Sequence, residues 1–502
     1  MIAKANTAAH TVDLHDDKVS LRTRLSYGLG CIGRDANYTL VSNFIMTYLT
    51  LAVGLTNWQL GAVGVVMVIA RIWDAVNDPM MGTIINNTNT RFGKFKPFIL
   101  CGALLNSVFT VLLFWGNVVH GERLFVVIFA ITYILWGMTY TMNDISYWGM
   151  LPALTLNPKE REKVTSLARI GANIGLFAVT ALVPAFTAGQ MGSAYRTIAI
   201  GVAAVFVACQ VLVVVGVQEK RNAITQAKSN VGLKGMLAVV FKNDQLLVLA
   251  GAILLFNIGY FTTTSFGVQF FYFDYGNYGG MEFTIFAIVI GLAQIITLAL
   301  LPVLAKRLNR RQQFTLATVM VTVGYLGFMA VGYLLPMNMA MLGVIGFILF
   351  SGQAIIQLLN YVLLADTVEY GQWKLGTRNE SIVFSLNPFI VKLASAVQAG
   401  IFAFTMIISG LNPYAQQISA LEQNTALPRE EVIRQGNAVV AQIPGSATLI
   451  MRLSMIVLPL VLILLCYVIY MKKFKIDEET YAKIIDDLAA RTAGTEGDGD
   501  GR

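Results

Sequence analysis

Two carboxylates, Asp74 and Asp78, stand one helical turn apart in the run ARIWDAVNDPMMG. Both project from one face of a helix, with Arg71 and Asn77 on or beside it. Carboxylates so close repel each other unless positive charge sits between them. Arg71 supplies part of that charge, and a bound cation could supply the rest. A hard cation such as Na⁺ favours oxygen ligands, which Asp, Asn and hydroxyl groups provide. Failing a metal ion, one carboxyl would keep its proton. A second cluster is Arg34–Asp35 in GCIGRDANY. A third, GMTYTMNDISYWGM, spaces Tyr140, Thr141, Asp144, Tyr147 and Trp148 by three and four, giving one polar-aromatic face. That combination suits a sugar: the acid accepts hydrogen bonds from adjacent hydroxyls, and an aromatic face packs on the apolar side of the ring. Arg169 and Lys392 are lone cations in apolar runs. They could balance Asp35 and Asp144 or bind sugar hydroxyls.

Each feature has a plainer reading. Asp74 and Asp78 could form only a buried ion-pair network with Arg71. Tyr140 and Trp148 could be packing or interface aromatics, and Arg169 and Lys392 could snorkel to an interface. Asp366 and Glu369 are expected to pair with Lys374 or Arg378 across a loop. A charge at mid-membrane costs roughly 2.5–3.5 kcal/mol on insertion scales, which favours a functional reading of the first three clusters.

The elements that must position these residues are membrane helices. Of 502 residues, 56% are hydrophobic and 13% charged, about half the roughly 25% charged share of soluble domains. With mean hydropathy +0.65, an ordinary soluble enzyme is excluded. So is a disordered or nucleic-acid-binding chain, despite the net charge of +8. Apolar runs near 25–53, 58–85, 97–117, 123–153, 166–188, 194–217, 244–272, 282–304, 314–334, 339–366, 381–409 and 446–471 give twelve spans. The fold class is therefore all-α and integral to the membrane, with two six-helix bundles.

The expected organisation is a tail at 1–21, a first bundle at 22–217, a central loop at 218–243, a second bundle at 244–471 and a tail at 472–502. The first tail lacks a signal-peptide core and reads as cytoplasmic. Loops after even-numbered spans and the central loop hold seventeen Lys and Arg, against four in the opposite loops. This bias puts both termini in the cytoplasm of a multi-pass cell-membrane protein, inner or plasma. Cys31, Cys101, Cys209 and Cys466 lie in apolar stretches without a CxxC and read as unpaired core thiols. His10, His15 and His120 fall outside the apolar runs, which argues against haem ligation or a buried histidine relay. No GxxxxGK[ST] loop occurs, so energy would come from an ion or solute gradient rather than ATP.

The stretches WDAVNDPMMGTIINNTNTRFGKFKP, ILWGMTYTMNDISYW, KEREK, KNDQLL and ADTVEYGQWKLGTRNES resemble the glycoside–pentoside–hexuronide:cation symporters, a branch of the major facilitator superfamily. The resemblance runs from about Leu21 to Lys475. It implies a cation site on Asp74, Asn77, Asp78 and Thr141. It implies a sugar site on Arg34, Asp35, Tyr140, Asp144, Trp148, Arg169 and Lys392. Five departures stand out. Arg34 replaces a lysine, Gln357 a tryptophan, Pro388 a threonine and Asn143 an apolar residue, and the loop at about 411–445 is longer. These leave the cation set intact and point to a different or larger glycoside.

The resulting expectation is uptake of a melibiose-like di- or oligosaccharide by symport through alternating access. Na⁺ is the coupling cation, with H⁺ or Li⁺ as alternatives, and no other cofactor is needed. Arg91, Lys94 and Lys96 are expected to hold the halves closed on the cytoplasmic side. Membrane lipid and the sugar are the partners, with no nucleic acid, and a single chain suffices. Rival readings are a proton-coupled uronide or pentoside carrier and a lipid or drug facilitator on the same scaffold. A membrane-bound enzyme is disfavoured, because no nucleophile–base pair or cofactor motif is present.

Overall fold

The computed structural model describes residues 18–88, 90–116, 121–155, 158–218, 241–376 and 380–497. Most of the first tail (1–17), nearly all of the central loop, His10, His15, His120 and Arg378 lie outside the described residues. The first half comprises α1 (Leu21–Tyr48), α2 (Asn57–Asn87), α3 (Lys96–Leu113), α4 (Glu122–Met150), α5 (Pro158–Thr187) and α6 (Met191–Gly216). The second comprises α7 (Asp244–Ser265), α8 (Glu282–Ala305), α9 (Arg310–Ala330), α10 (Met339–Leu375), α11 (Glu380–Ile408), α12 (Asn412–Glu422), α13 (Arg429–Val440), α14 (Gly445–Arg452) and α15 (Leu458–Lys473). A last helix, α16 (Glu478–Gly497), follows.

Among the described residues, ten stretches are long and apolar enough to cross a bilayer. One of them joins α14 and α15 through a single π turn. Helix α2 is an eleventh if its two parts, bent by 41°, count as one span. Helix α1 has the length, at 28 residues, but carries Arg22, Arg24, Arg34 and Asp35.

Local sequence sets the helix starts. Ser20 caps α1, Asn243 caps α7 and Asn338 caps α10 by accepting from the third backbone N–H beyond them. Thr56–Gln59 and Asn309–Gln312 form reciprocal capping boxes on α2 and α9.

Close packing then aims the charged faces inward. Gly171 and Gly175 of α5 let α1 approach: a Cβ on either would lie 2.3 or 2.2 Å from the carbonyl oxygens of Gly28 and Ile32. This contact holds α5 against α1 on the side from which Arg34 and Arg169 both reach the Trp148 ring. Asn37 of α1 donates to Asn106 of α3, which donates to the Trp136 carbonyl and Thr139 of α4. Asn143 donates to the Ile99 carbonyl and Gln210, and Gln210 to the Gly30 carbonyl. These buried bonds fix the rotation of α4. They also show that Asn143 faces α3 and α6, away from the face of Asp144.

The halves meet along α2 and α11, where Gly64 faces Ala403 and Gly400 faces Val68, and along α5 and α8, where Gly291 faces Phe177. Hydrogen bonds between the halves include, among the described residues, one set at mid-membrane and one at the end far from the termini. There the long segment after α11 forms α12 and α13, which grip both halves. Asn412 and Gln416 donate to the Leu55 carbonyl, and Gln423 to those of Ala52 and Val53. Glu422 accepts from the Gly189 and Met191 N–H groups, at 2.6 Å each, and from the Tyr278 hydroxyl. Arg429 donates to the Ala188 carbonyl.

Some expectations change. Arg91 and Lys94 lie over the neighbouring rings of Phe92 and Phe95. Asp366 pairs with Arg310 of α9, and Lys374 with Asp244 at 2.5 Å. Asp366 is buried and turns to the neighbouring helix, whereas Lys374 lies at the exposed end of α10. All four cysteines are free, but Cys101 is exposed and only Cys31 and Cys466 are buried.

Candidate functional site

Arg34 is the centre of the first charge cluster. Its guanidinium donates to Asp35 at 2.8 and 3.1 Å and to Asp144 at 3.0 Å, bridging α1 and α4. It lies 4.8 Å from the ring centre of Tyr147 and 4.9 Å from that of Trp148. Arg169, an exposed residue, lies over the same Trp148 ring at 5.2 Å. The side chain of Arg34 is 3% exposed, but those of Asp35 and Asp144 are 24% and 32% exposed. Each carboxylate therefore keeps free acceptor capacity, which a sugar hydroxyl can use. Two cations and two carboxylates balance, which suits a neutral ligand. Tyr140 is buried one turn before Asp144 and stacks between Tyr38 and Trp136, at 4.8 and 5.8 Å.

The second cluster joins α2, α4 and α11. Asp74 accepts from Arg71 at 3.0 Å, and Arg71 donates its other arm to Tyr133 at 3.1 Å. Gly137 lets Asp74 approach α4: a Cβ there would lie 3.3 Å from the carboxylate. One turn on, Asp78 accepts from the Thr141 hydroxyl at 2.9 Å and from the Lys392 ammonium at 2.5 Å. The same ammonium lies 3.4 Å from the Thr141 oxygen. Asn77 is buried, and its Nδ2 has no hydrogen-bond partner among the described residues.

Asp74, Asp78 and Thr141 thus sit on facing turns of α2 and α4, with Asn77 buried on the same turn of α2. Lys392, expected at the sugar, holds Asp78 and Thr141 instead. Each carboxylate has its own cation, so the cluster is neutral. An added monovalent ion at Asp78 would leave excess positive charge unless the ammonium withdraws. Lys392 and Asp78 also act electrostatically on Asp144, so the two clusters lie within range of each other.

Tyr133, Trp136, Tyr140 and Asp144 form a single stripe of α4 at helical spacing, and Tyr133 and Tyr38 belong to the site although neither was singled out from sequence. Their signal was the continuation of the 140–144 stripe by one and two turns and the position of Tyr38 one turn beyond Arg34.

A family model described as MFS/sugar transport protein matches residues 26–478. A lactose permease of Leuconostoc lactis is 30% identical, over 92% of this chain and 71% of its own. A raffinose carrier protein of Pediococcus pentosaceus is 29% identical, over 93% and 71%. A glucuronide carrier protein homolog of Escherichia coli is 29% identical, over 79% and 85%. Among solved structures, a bacterial homolog of the human lysosomal transporter Spinster aligns with TM-score 0.61 at 14% identity, over 92% of this chain and 97% of that one. A D-xylose-proton symporter aligns with TM-score 0.55 at 15% identity, over 91% and 98%. The fold is that of the major facilitators. The chain is a membrane transporter rather than an enzyme, and it belongs to the MFS/sugar transport protein family, within its glycoside–pentoside–hexuronide symporter branch.

Proposed function

We propose that the chain takes up a neutral glycoside, a di- or oligosaccharide of the melibiose-like class, by symport with a monovalent cation, Na⁺ first in preference. The excess of Lys and Arg in the loops on the terminal side supports cytoplasmic termini in a cell membrane. The grip of α12 and α13 then closes the outer end, and the site awaits release to the inside. Relatives named for lactose and raffinose support a glycoside.

One observation carries the coupling: the Lys392 ammonium stands between Asp78 and Thr141, where a coupling cation would be held. Lys392 is a tethered stand-in for that cation. When Na⁺ takes the carboxylate and hydroxyl oxygens, the ammonium is freed toward Asp144 and can donate to sugar hydroxyls. Sugar binding there keeps Lys392 away from Asp78, so it tightens the cation by the same factor as the cation tightens sugar. With both bound, the charge at α2 is again balanced and the halves rock. Arg34 stays behind as the fixed cation that holds Asp35 and Asp144 in position.

Calorimetric sugar-binding isotherms on the purified protein test this, with Na⁺, with Li⁺ and with neither across a pH series. A panel of α- and β-galactosides, glucosides, pentosides and a glucuronide is used. The expected result is one neutral glycoside bound more tightly with Na⁺. Binding that ignores Na⁺ and follows pH would replace the ion by a proton, and preference for the glucuronide would overturn the neutral substrate.

A further inference from the structure

Beyond the charged clusters, between the halves, lies a cavity of about 200 Å³ that none of the charged residues above line. We propose that it is a second subsite, taking an uncharged ring at the distal end of a glycoside whose first ring lies at Asp35 and Asp144. The proposal rests on the glycoside reading above and names the shape of the substrate.

Position argues for it first. Tyr38 and Asn43 follow Asp35 by one and two turns of α1, Phe177 follows Arg169 by two turns of α5, and Ser395 and Gln398 follow Lys392 by three and six residues of α11. The helices that present the charged end therefore line the cavity with their next turns toward the outer side. The second half adds Tyr260 from α7 and Gln294 from α8.

Size comes next. Pockets for drug-sized ligands measure roughly 300–1,000 Å³. A cavity smaller than these takes one ring-sized group and leaves the other ring of a disaccharide at the carboxylates.

Chemistry completes the case. The Tyr38 ring extends the stack of Tyr140 and Trp136, at 4.8 and 6.0 Å from them, so the aromatic row of the first subsite runs on into the second. Phe177 and Tyr260 add further rings. Aromatic faces pack against the C–H face of a pyranose and against a flat aglycone. The polar groups are few and convergent, as in small-molecule sites. Gln294 donates to the Tyr260 hydroxyl at 3.3 Å, fixing both across two helices. Gln398 is 7% exposed and, among the described residues, its amide has no protein partner. A hydroxyl on the second ring can supply that partner. No Asp, Glu, Lys or Arg lines the cavity among the described residues, so the distal unit is neutral.

The test is calorimetry on the full-length protein at fixed saturating Na⁺. It compares a methyl glycoside of the preferred first ring with the phenyl glycoside and the disaccharide of that ring. Wild type is expected to bind the two larger ligands about tenfold tighter than the methyl glycoside, the return of one aromatic contact and one hydrogen bond. Phe177→Ala should remove the preference for the phenyl glycoside, and Gln294→Ala and Gln398→Ala the preference for the disaccharide. Methyl glycoside affinity should stay within about twofold, which also shows that each variant is folded. Equal affinity of wild type for all three ligands would overturn the subsite and leave the sugar reading standing. So would variants that weaken all three ligands alike. Failure of wild type to bind even the methyl glycoside would overturn both.

Discussion

Asp78→Asn is expected to abolish cation-stimulated sugar binding. Coupling between two sites is typically 1–3 kcal/mol, so saturating Na⁺ should tighten sugar binding in the wild type by roughly 5–150-fold. In the variant the affinity should be the same with and without Na⁺. The amide keeps the shape of the side chain and an acceptor for Thr141, but removes the charge that attracts either Na⁺ or the Lys392 ammonium. The ammonium then has no competitor to yield to, and the ion has no site. Sugar calorimetry at two Na⁺ concentrations reads the effect. Retained stimulation would move the coupling site elsewhere, with Asp74 and its Arg71 partner as the next candidate.

Glu422→Ala is expected to open the outer end. The carboxylate receives three donors: the Tyr278 hydroxyl from its own half and the Gly189 and Met191 N–H groups, which reach it across from the first half. Leaving a buried donor unsatisfied costs about 1–3 kcal/mol. The two losses across the halves, partly relieved by water, amount to about 3 kcal/mol, or about a hundredfold in the closed-to-open ratio. A cysteine placed at Asn43, on the cavity wall, should then react faster with an impermeant maleimide added from outside. Unchanged labelling would mean that the other bonds of α12 and α13 hold the end alone.

The same contact has a pH sign. Burial holds the Glu422 carboxyl above the usual carboxylate range, outweighing its hydrogen bonds and the nearby Arg429. The closed arrangement thus binds more protons than the open one and is favoured as pH falls; its advantage is lost as pH rises through the raised value. The labelling rate with Glu422 present, divided by that in Glu422→Gln to cancel the thiol's own ionisation, should rise with pH.

Much of this arrangement is legible in the sequence because intramembrane charge is rare and costly. Arg34, Asp35, Asp74, Asp78 and Asp144 draw attention by type alone, and helical spacing assigns them to shared faces. Hydropathy gives the spans, and the caps at Thr56 and Asn309 are visible as Thr-x-x-Gln and Asn-x-x-Gln. What spacing cannot give is the partner across the halves. Lys392 lies 314 residues from Asp78, and its choice between that carboxylate and the sugar cluster depends on how α11 packs on α2. Asn143 looked like a neighbour of the site because it adjoins Asp144, yet successive helix residues point about 100° apart and the buried amide turns to α3. The uncharged wall of Tyr260, Gln294 and Gln398 escaped a reading guided by charge. The outer grip has a trace in the sequence: Asn412, Gln416, Ser419 and Gln423 form a polar stripe at helical spacing in the long segment at about 411–445.

The claim at the centre is that the Lys392 ammonium stands in for the coupling cation. Na⁺ affinity measured without sugar, in the wild type and in Lys392→Ala, tests it most directly. Removing a competitor should tighten Na⁺ binding in the variant, and the expected direction is stronger binding by about tenfold or more, one ion-pair contact of about 1.4 kcal/mol. Na⁺ binding that is unchanged or weaker in Lys392→Ala would show that the ammonium supports the cation site or ignores it, and would contradict the competition on which the coupling depends.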